Sequence, residues 1–233
     1  MVIFQGFLGG LRVLLDKQNI EVENNFIARS FAVCHACGAQ VVICIIAALV
    51  ISTSRRWYSS LPKENPVYGK KVYHLGLIAS VILFLQIFVG AIMRHSKAAL
   101  AIPHFPMSTA DGGLLPSAWN WMVAINFAHR VGAVLVTVAL ILFFYHLWRS
   151  KEHRNEIGPI IYVPAFLLII QIFLGALVIW TLKNEHAATI HTLVGAFLLS
   201  SCWAITYHST KLTSSYKKKI VQQPNKALVS LAS

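Results

Sequence analysis

Acidic side chains are scarce in this sequence. Eight Asp and Glu stand against 20 Lys and Arg, and charged residues make up only 12% of the chain. A soluble domain carries roughly 25%. With 57% hydrophobic residues, the deficit excludes an ordinary soluble domain and indicates an integral membrane protein. No Asp or Glu falls inside an apolar run, so no carboxylate is expected within the membrane. Loop cysteines are missing as well. Cys34, Cys37, Cys44 and Cys202 all lie in apolar stretches, which excludes the disulfide framework of a secreted domain. The first residues have neither a positive n-region nor a small-residue cleavage site, so they are not read as a signal peptide. A net charge of +12 would suggest nucleic acid in a soluble protein. Here the cations sit between apolar runs and set topology, and no nucleic-acid partner is expected.

What the chain does have is apolar runs. A spanning helix needs about 20 mostly apolar residues. Five stretches qualify: Phe31–Ser52, Tyr73–Met93, Trp119–Trp148, Ile160–Leu182 and Ala187–Tyr207. The opening run MVIFQGFLGGLRVLL covers about 22 Å at 1.5 Å per residue, short of a hydrocarbon core about 30 Å thick. The expected fold is therefore an all-α multi-pass bundle of five full spans plus a partial first helix. Segments 53–72, 149–158 and 209–233 carry five, three and five Lys and Arg, while 16–30, 95–118 and 183–186 carry two, one and one. The first set is expected on the cytoplasmic side, or the matrix side of a mitochondrial membrane. The basic tail from Tyr216 then meets the inner headgroups, as a topology anchor or a lipid contact.

A repeat organises these runs. Gln-x-Phe-x-Gly-small occurs at Gln5, Gln86 and Gln171, and each copy is followed by a helix with an inward histidine: His35, His129 and His191. A Gly-Ala pair follows each histidine, at Gly38, Gly132 and Gly195. Residues four apart share a helix face, so Gln86, Gly90 and Arg94 form one stripe, as do Gln5, Gly9 and Arg12. Glycine permits close approach, and small residues beside a histidine leave room for a macrocycle. The same residues also serve plain helix packing, and a Gln can simply bond a neighbouring helix. Ionisable groups inside a membrane are costly and usually functional, which singles out the three histidines as ligands. All three are expected in the outer half of the membrane. Arg94 and Arg12 lie near outer helix ends, where a guanidinium can pair with carboxylates such as haem propionates.

His129 and His191 form the natural pair for one haem iron, held from both sides. By these boundaries they differ in depth by about 9 Å, from a six-residue offset. His74, His146 and His208 are expected at the inner interface, His153 solvated in a basic loop, and His95, His104 and His186 near the outer site without ligating. In CHAC, Cys34 and Cys37 share a helix face while His35 points about 100° from Cys34. Two thiols alone do not complete a tetrahedral site, which leaves apolar packing or a redox-active pair. The loop 95–118 has prolines and glycines that preclude a continuing helix, and it is apolar enough to fold over the outer mouth as a lid or to rest at the interface.

The segment VGAIMRHSKAALAIPHFP resembles a signature of the bacterial haem A synthases, which serve cytochrome oxidase assembly. NFAHRVGAVLV resembles their His-Arg helix, QIFLGALVIW with HAATIHTLVGAFLL their last two helices, and FQGFLGGLRVLL with CHACGAQ their helices three and four. The resemblance covers about residues 1–208. It implies eight helices in two pseudo-symmetric four-helix halves. It implies haem b held by His129 and His191, and the substrate haem O held by His35, a candidate iron ligand, with a second histidine. The implied reaction oxidises a methyl group of haem O to the formyl group of haem A, and an acidic residue near the first histidine is implicated.

Departures from the pattern accompany it. The helices with the first histidine and that acid have no counterpart, and Asp16, Glu21 and Glu23 are read as loop residues. No catalytic residue is therefore assigned. Ile102 and Ser108 replace a cysteine pair of some members, and His104 stands where an Asp is usual. The expected organisation is 1–52 as the remnant of a substrate half, 53–72 as a cytoplasmic linker, 73–208 as a four-helix haem-binding half and 209–233 as a basic tail. The chain reads as N-terminally truncated. Expected partners are haem O, the bilayer, haem O synthase or oxidase-assembly proteins, and an electron donor that no motif specifies. The expected location is a bacterial plasma membrane, with the mitochondrial inner membrane as the alternative. Two other readings compete: a membrane b-type cytochrome relaying electrons through a bis-histidine haem, and an assembly scaffold without a redox cofactor.

Overall fold

The computed structural model describes residues 1–18, 26–59 and 66–222. Among the described residues eight α-helices follow one another: α1 (Val2–Gln18), α2 (Phe26–Ser52), α3 (Arg55–Ser59), α4 (Pro66–His95), α5 (Trp121–Arg149), α6 (Lys151–Ile157), α7 (Val163–Trp180) and α8 (Glu185–Gln222). Among the described residues there is no strand. Helix is the necessary form here, because a backbone in hydrocarbon must satisfy its own N–H and C=O groups. Among the described residues five helices are long and apolar enough to cross a membrane, and α1 is a shorter apolar helix. The protein is an integral multi-pass membrane protein.

Local chemistry sets several boundaries. Asn120 caps α5 by accepting a hydrogen bond from the Val123 N–H at 2.9 Å. Ser150 caps α6 in the same way through the His153 N–H at 3.4 Å. Gly158, with φ of 66°, ends α6 in a conformation that favours glycine. Pro164 stands in the first turn of α7, where its missing N–H costs nothing.

α4 packs against α5 and α8, while α7 packs against α8 and more lightly against α5. These four helices form one bundle in which α5 and α8 are diagonal. α2 lies along α4 and α8, and α1 packs on α2. The apolar core occupies the part of the bundle away from His129 and His191. It joins Val72, Ala79 and Leu83 of α4 to Val136, Leu140, Phe143 and Leu147 of α5 and to Leu198, Leu199, Cys202 and Ile205 of α8. Gly76 admits Phe143 and Thr206 so closely that an added Cβ would collide with both. Large apolar side chains such as Val134, Ile141, Phe166 and Ile169 project outward, as lipid contact requires.

Three expectations are corrected. Asp16 is part of α1 and not of a loop; Glu21 and Glu23 lie outside the described residues. His153 is not solvated. It is fully buried, with Nδ1 2.7 Å from Ser150 Oγ and Nε2 3.0 Å from Ser209 Oγ, and so ties α6 to α8. His208 is likewise buried rather than interfacial, edge-on to Trp57, which stacks on Tyr207 at 5.2 Å. In both cases the short α3 and α6 fold back onto the bundle and cover side chains that a linear reading leaves in solvent.

Candidate ligand site between diagonal helices

The Gln-Gly helices and the histidine helices interlock in pairs, by the same scheme three times. The ring of His129 lies against Gly90 of α4, where an added Cβ would stand 3.0 Å from Cε1. His35 lies on Gly9 in the same way at 3.1 Å, and His191 on Gly175 at 3.3 Å. Conversely, the glutamine of each pair fills the space over the glycine that follows the histidine. A Cβ on Gly38 would collide with Gln5 and one on Gly132 with Gln86, and on Gly195 it would stand 3.0 Å from Gln171 Nε2. Each pair thus has two notches without a Cβ, one for an imidazole and one for an amide. The glycines after the histidines are occupied by glutamine, not left open for a macrocycle.

Hydrogen bonds reinforce two of the pairs. Gln86 Nε2 donates to the His129 carbonyl at 2.8 Å and lies 3.1 Å from His129 Nδ1. Gln171 Nε2 lies 3.3 Å from His191 Nε2. His191 Nδ1 is buried without a hydrogen-bond partner, as is His35 Nδ1. A buried polar atom left unpaired costs about 1–3 kcal/mol, so these nitrogens mark places where a partner belongs.

His129 and His191 sit on the diagonal helices α5 and α8. They lie eight residues after Trp121 and six after Glu185. That offset of two residues is about 3 Å along the axis, against the 9 Å inferred from sequence. The difference arose because α5 starts later and α8 earlier than their hydropathy suggests. Arg94, at the end of α4, donates from Nη1 to Thr192 Oγ1 at 3.3 Å, which places its guanidinium next in sequence to His191. His35, on α2, is paired instead with Gly9 and Gln5 of α1. Among the described residues no cluster of three or more His, Cys, Asp or Glu could hold a bare metal ion. The paired imidazoles suit a metal whose other positions are already filled. Cys34, Cys37, Cys44 and Cys202 are free thiols.

The sequence reading missed the residues that fix the loop 95–118. Arg130, next to His129, donates to the carbonyls of Ile102 (2.9 Å), His104 (2.7 Å) and Met107 (3.1 Å), and from Nε to Asn126 Oδ1 (3.2 Å). Asn126, only 3% exposed, donates to the carbonyls of Ala98 and Ala99, both at 2.9 Å. Phe105 lies beneath the Arg130 guanidinium and edge-on to Trp180, whose Nε1 donates to the Phe105 carbonyl at 3.4 Å. The loop is thereby fastened across α5 and α7. The available signal was Asn126 and Arg130 themselves, four apart on the histidine helix, since polar groups in such a helix need partners. The loop also contains an open cleft of about 570 Å³ with His104, Ser108, Thr109 and Asp111 in its wall, and neither His129 nor His191 lines it.

The profile described as "cytochrome oxidase assembly protein" matches residues 1–203 of the chain. The haem A synthase of Shouchella clausii is 25% identical over 223 residues, 94% of this chain and 67% of that protein. Those of Bacillus pumilus and Alkalihalophilus pseudofirmus are 23% and 28% identical over 93% and 91% of this chain, and 65% and 66% of their own lengths. The chain spans about two thirds of the length of these relatives.

Proposed function

This chain belongs to the family of cytochrome oxidase assembly proteins, and from that premise we propose that it is a haem A synthase-type oxidoreductase. Its reaction oxidises a methyl group of the substrate haem O to the formyl group of haem A, for cytochrome c oxidase biogenesis. The relatives bearing that name support the class of reaction.

In this reading the imidazoles of His129 and His191 would hold haem b as the resident cofactor. The carrying observation is the pair of imidazoles on diagonal helices, each seated on a glycine. The orphan Nδ1 of His191 and the two-ligand donor set fit such a group. When bound, a bis-histidine haem supplies one-electron redox chemistry. The protein residues supply the rest. Gln86 and Gln171 restrain the rings, and Arg94, bonded to Thr192, sets a positive charge at the end of α4 for a propionate. Arg130 and Asn126 hold the loop over α5 and α7 and limit water access at that end. His35, with Gln5 and Gly9 in the same arrangement, is the candidate ligand for the iron of haem O. The histidines face the outer side of a bacterial plasma membrane, and the partners are haem O, the bilayer, other oxidase-assembly proteins and an electron donor.

Two measurements test this reading. Detergent-purified protein should show the Soret and α bands of a low-spin b-type haem, lost in His129→Ala and in His191→Ala. Cells lacking their own synthase should form haem A when the native protein is supplied, and His35→Ala should abolish that product while leaving the b-type bands. A protein with no haem bands, or bands indifferent to both substitutions, would refute the assignment.

A further inference from the structure

We propose that the corner between α5 and α6 binds one anionic phospholipid of the leaflet opposite the paired histidines. Arg149, at the end of α5, follows His129 by 20 residues. That separation is about 30 Å along the axis, the thickness of a hydrocarbon core. The corner therefore meets headgroups at the other membrane surface, and it shares no residue with the haem site proposed above.

Tyr145, Trp148 and Arg149 follow at three- and four-residue spacings on one face of α5, and both rings are about half exposed. The Arg149 guanidinium lies over the Tyr145 ring, 6.0 Å from its centroid. α6 then turns back and lays Arg154 over the Trp148 ring at 5.7 Å, with Nη1 donating to the Trp148 carbonyl. A guanidinium stacked by its face on a ring keeps its N–H edge for oxygen acceptors. Two such edges at headgroup depth suit a phosphodiester, which takes planar paired donors. Beneath the rings, Val138, Ile141 and Leu142 continue the same face of α5 and are about half exposed. A soluble phosphate would use the cations alone, whereas this apolar strip accepts an acyl chain.

The corner is fixed rather than adaptable. His153 is fully buried between Ser150 Oγ (2.7 Å) and Ser209 Oγ (3.0 Å), which holds α6 on α8. Nothing in the haem reading uses His153, and positioning Arg154 gives it a task. The charge of α6 is also sided. Acidic positions 152 and 156 are each two residues from Arg154, about 160° around the helix. They fall on the far flank and leave the Arg154 side positive.

The test uses the full chain, purified in detergent and reconstituted with phosphatidylglycerol and phosphatidylcholine of identical acyl chains. Native mass spectrometry counts the phospholipid retained after washing. One phosphatidylglycerol per chain should be kept in preference to phosphatidylcholine. Arg149→Ala and Arg154→Ala should each weaken retention about fivefold, the factor for one basic residue at an anionic membrane surface. Arg154→Lys should weaken it as well, because an ammonium lacks the planar fork. Arg149→Ala leaves the Arg154 bond to Trp148 in place, so it reads the site even if Arg154→Ala folds poorly. Lys211→Ala removes a cation over Trp57 at the same end of the bundle and should leave retention unchanged. Equal retention of the two lipids overturns the inference. So does an equal loss in Lys211→Ala, which would mark general surface charge rather than a site. Displacement of the lipid by glycerol phosphate would assign the corner to a soluble phosphate and also overturns it.

Discussion

Replacing glycine by alanine at different notches should separate close-fitting positions from open ones. An added Cβ at Gly132 collides with Gln86, whereas at Gly6 and Gly10 it meets nothing within 4 Å. In Gly132→Ala the Gln86 side chain must swing out, losing its bonds to the His129 carbonyl and Nδ1. At about 1 kcal/mol net each, that is roughly 2 kcal/mol of destabilisation. Alanine in a helix interior recovers about 0.5–1 kcal/mol relative to glycine. The net expectation for Gly132→Ala is a loss of about 1 kcal/mol. The same helix term should stabilise Gly6→Ala and Gly10→Ala by about 0.5–1 kcal/mol. The variants should therefore differ by roughly 2 kcal/mol, a factor near 30 in the folding equilibrium. Reversible SDS unfolding in mixed micelles, followed by tryptophan fluorescence, measures this gap. If Gly132→Ala is as stable as Gly10→Ala, the amide notch does not hold its helix pair and the interlock argument fails.

Other expectations follow from separate features. Arg130→Ala should free the loop 95–118 to limited proteolysis from the histidine end, at a cost of roughly 2–4 kcal/mol for several charge-assisted bonds; Arg130→Lys should not restore protection, because an ammonium lacks the planar fork. His153→Ala should destabilise the junction of α6 and α8 by about 1–3 kcal/mol, since Ser150 and Ser209 lose a buried partner, as thermal unfolding in detergent would show. Asp111 is held below the ordinary carboxylate range mainly by a hydrogen bond with the Thr109 side chain. Its ionised form therefore favours the folded turn. That contribution is present above the ordinary carboxylate value and is lost as pH falls through the lowered one. Hydrogen exchange of the Gly113 N–H should accelerate below that point in the wild type and show no such step in Asp111→Asn.

The spanning helices and the Gln–His pairing were legible in the sequence because both rest on periodicities of one helix. Hydropathy over about 20 residues marks a span, and a four-residue spacing marks a face. What was not legible depends on neighbours. Nothing local shows that Gly132 receives Gln86 from 46 positions earlier rather than a cofactor. His153 reads as a loop cation by charge pattern, yet Ser150 and Ser209 enclose it once α6 turns back. The depth of His129 was misjudged because Trp119 and Asn120 look like helix to a hydropathy window, although Asn120 is the cap. Arg130 stands next to His129 in NFAHRVGAVLV, but its targets are three carbonyls of an irregular loop, which carry no side-chain signal.

The pairing of each glutamine with the histidine of the very next long helix also bears on how the chain enters a membrane. A lone Gln or His emerging into hydrocarbon is costly. In α4–α5 and α7–α8 the two polar side chains meet within one hairpin, so each can be neutralised before the rest of the bundle arrives. The hairpin, rather than the single helix, is then the natural unit of insertion. Its arrival order in the bilayer follows its order in the gene, and His129 and His191 come into one bundle only when the second hairpin docks beside the first.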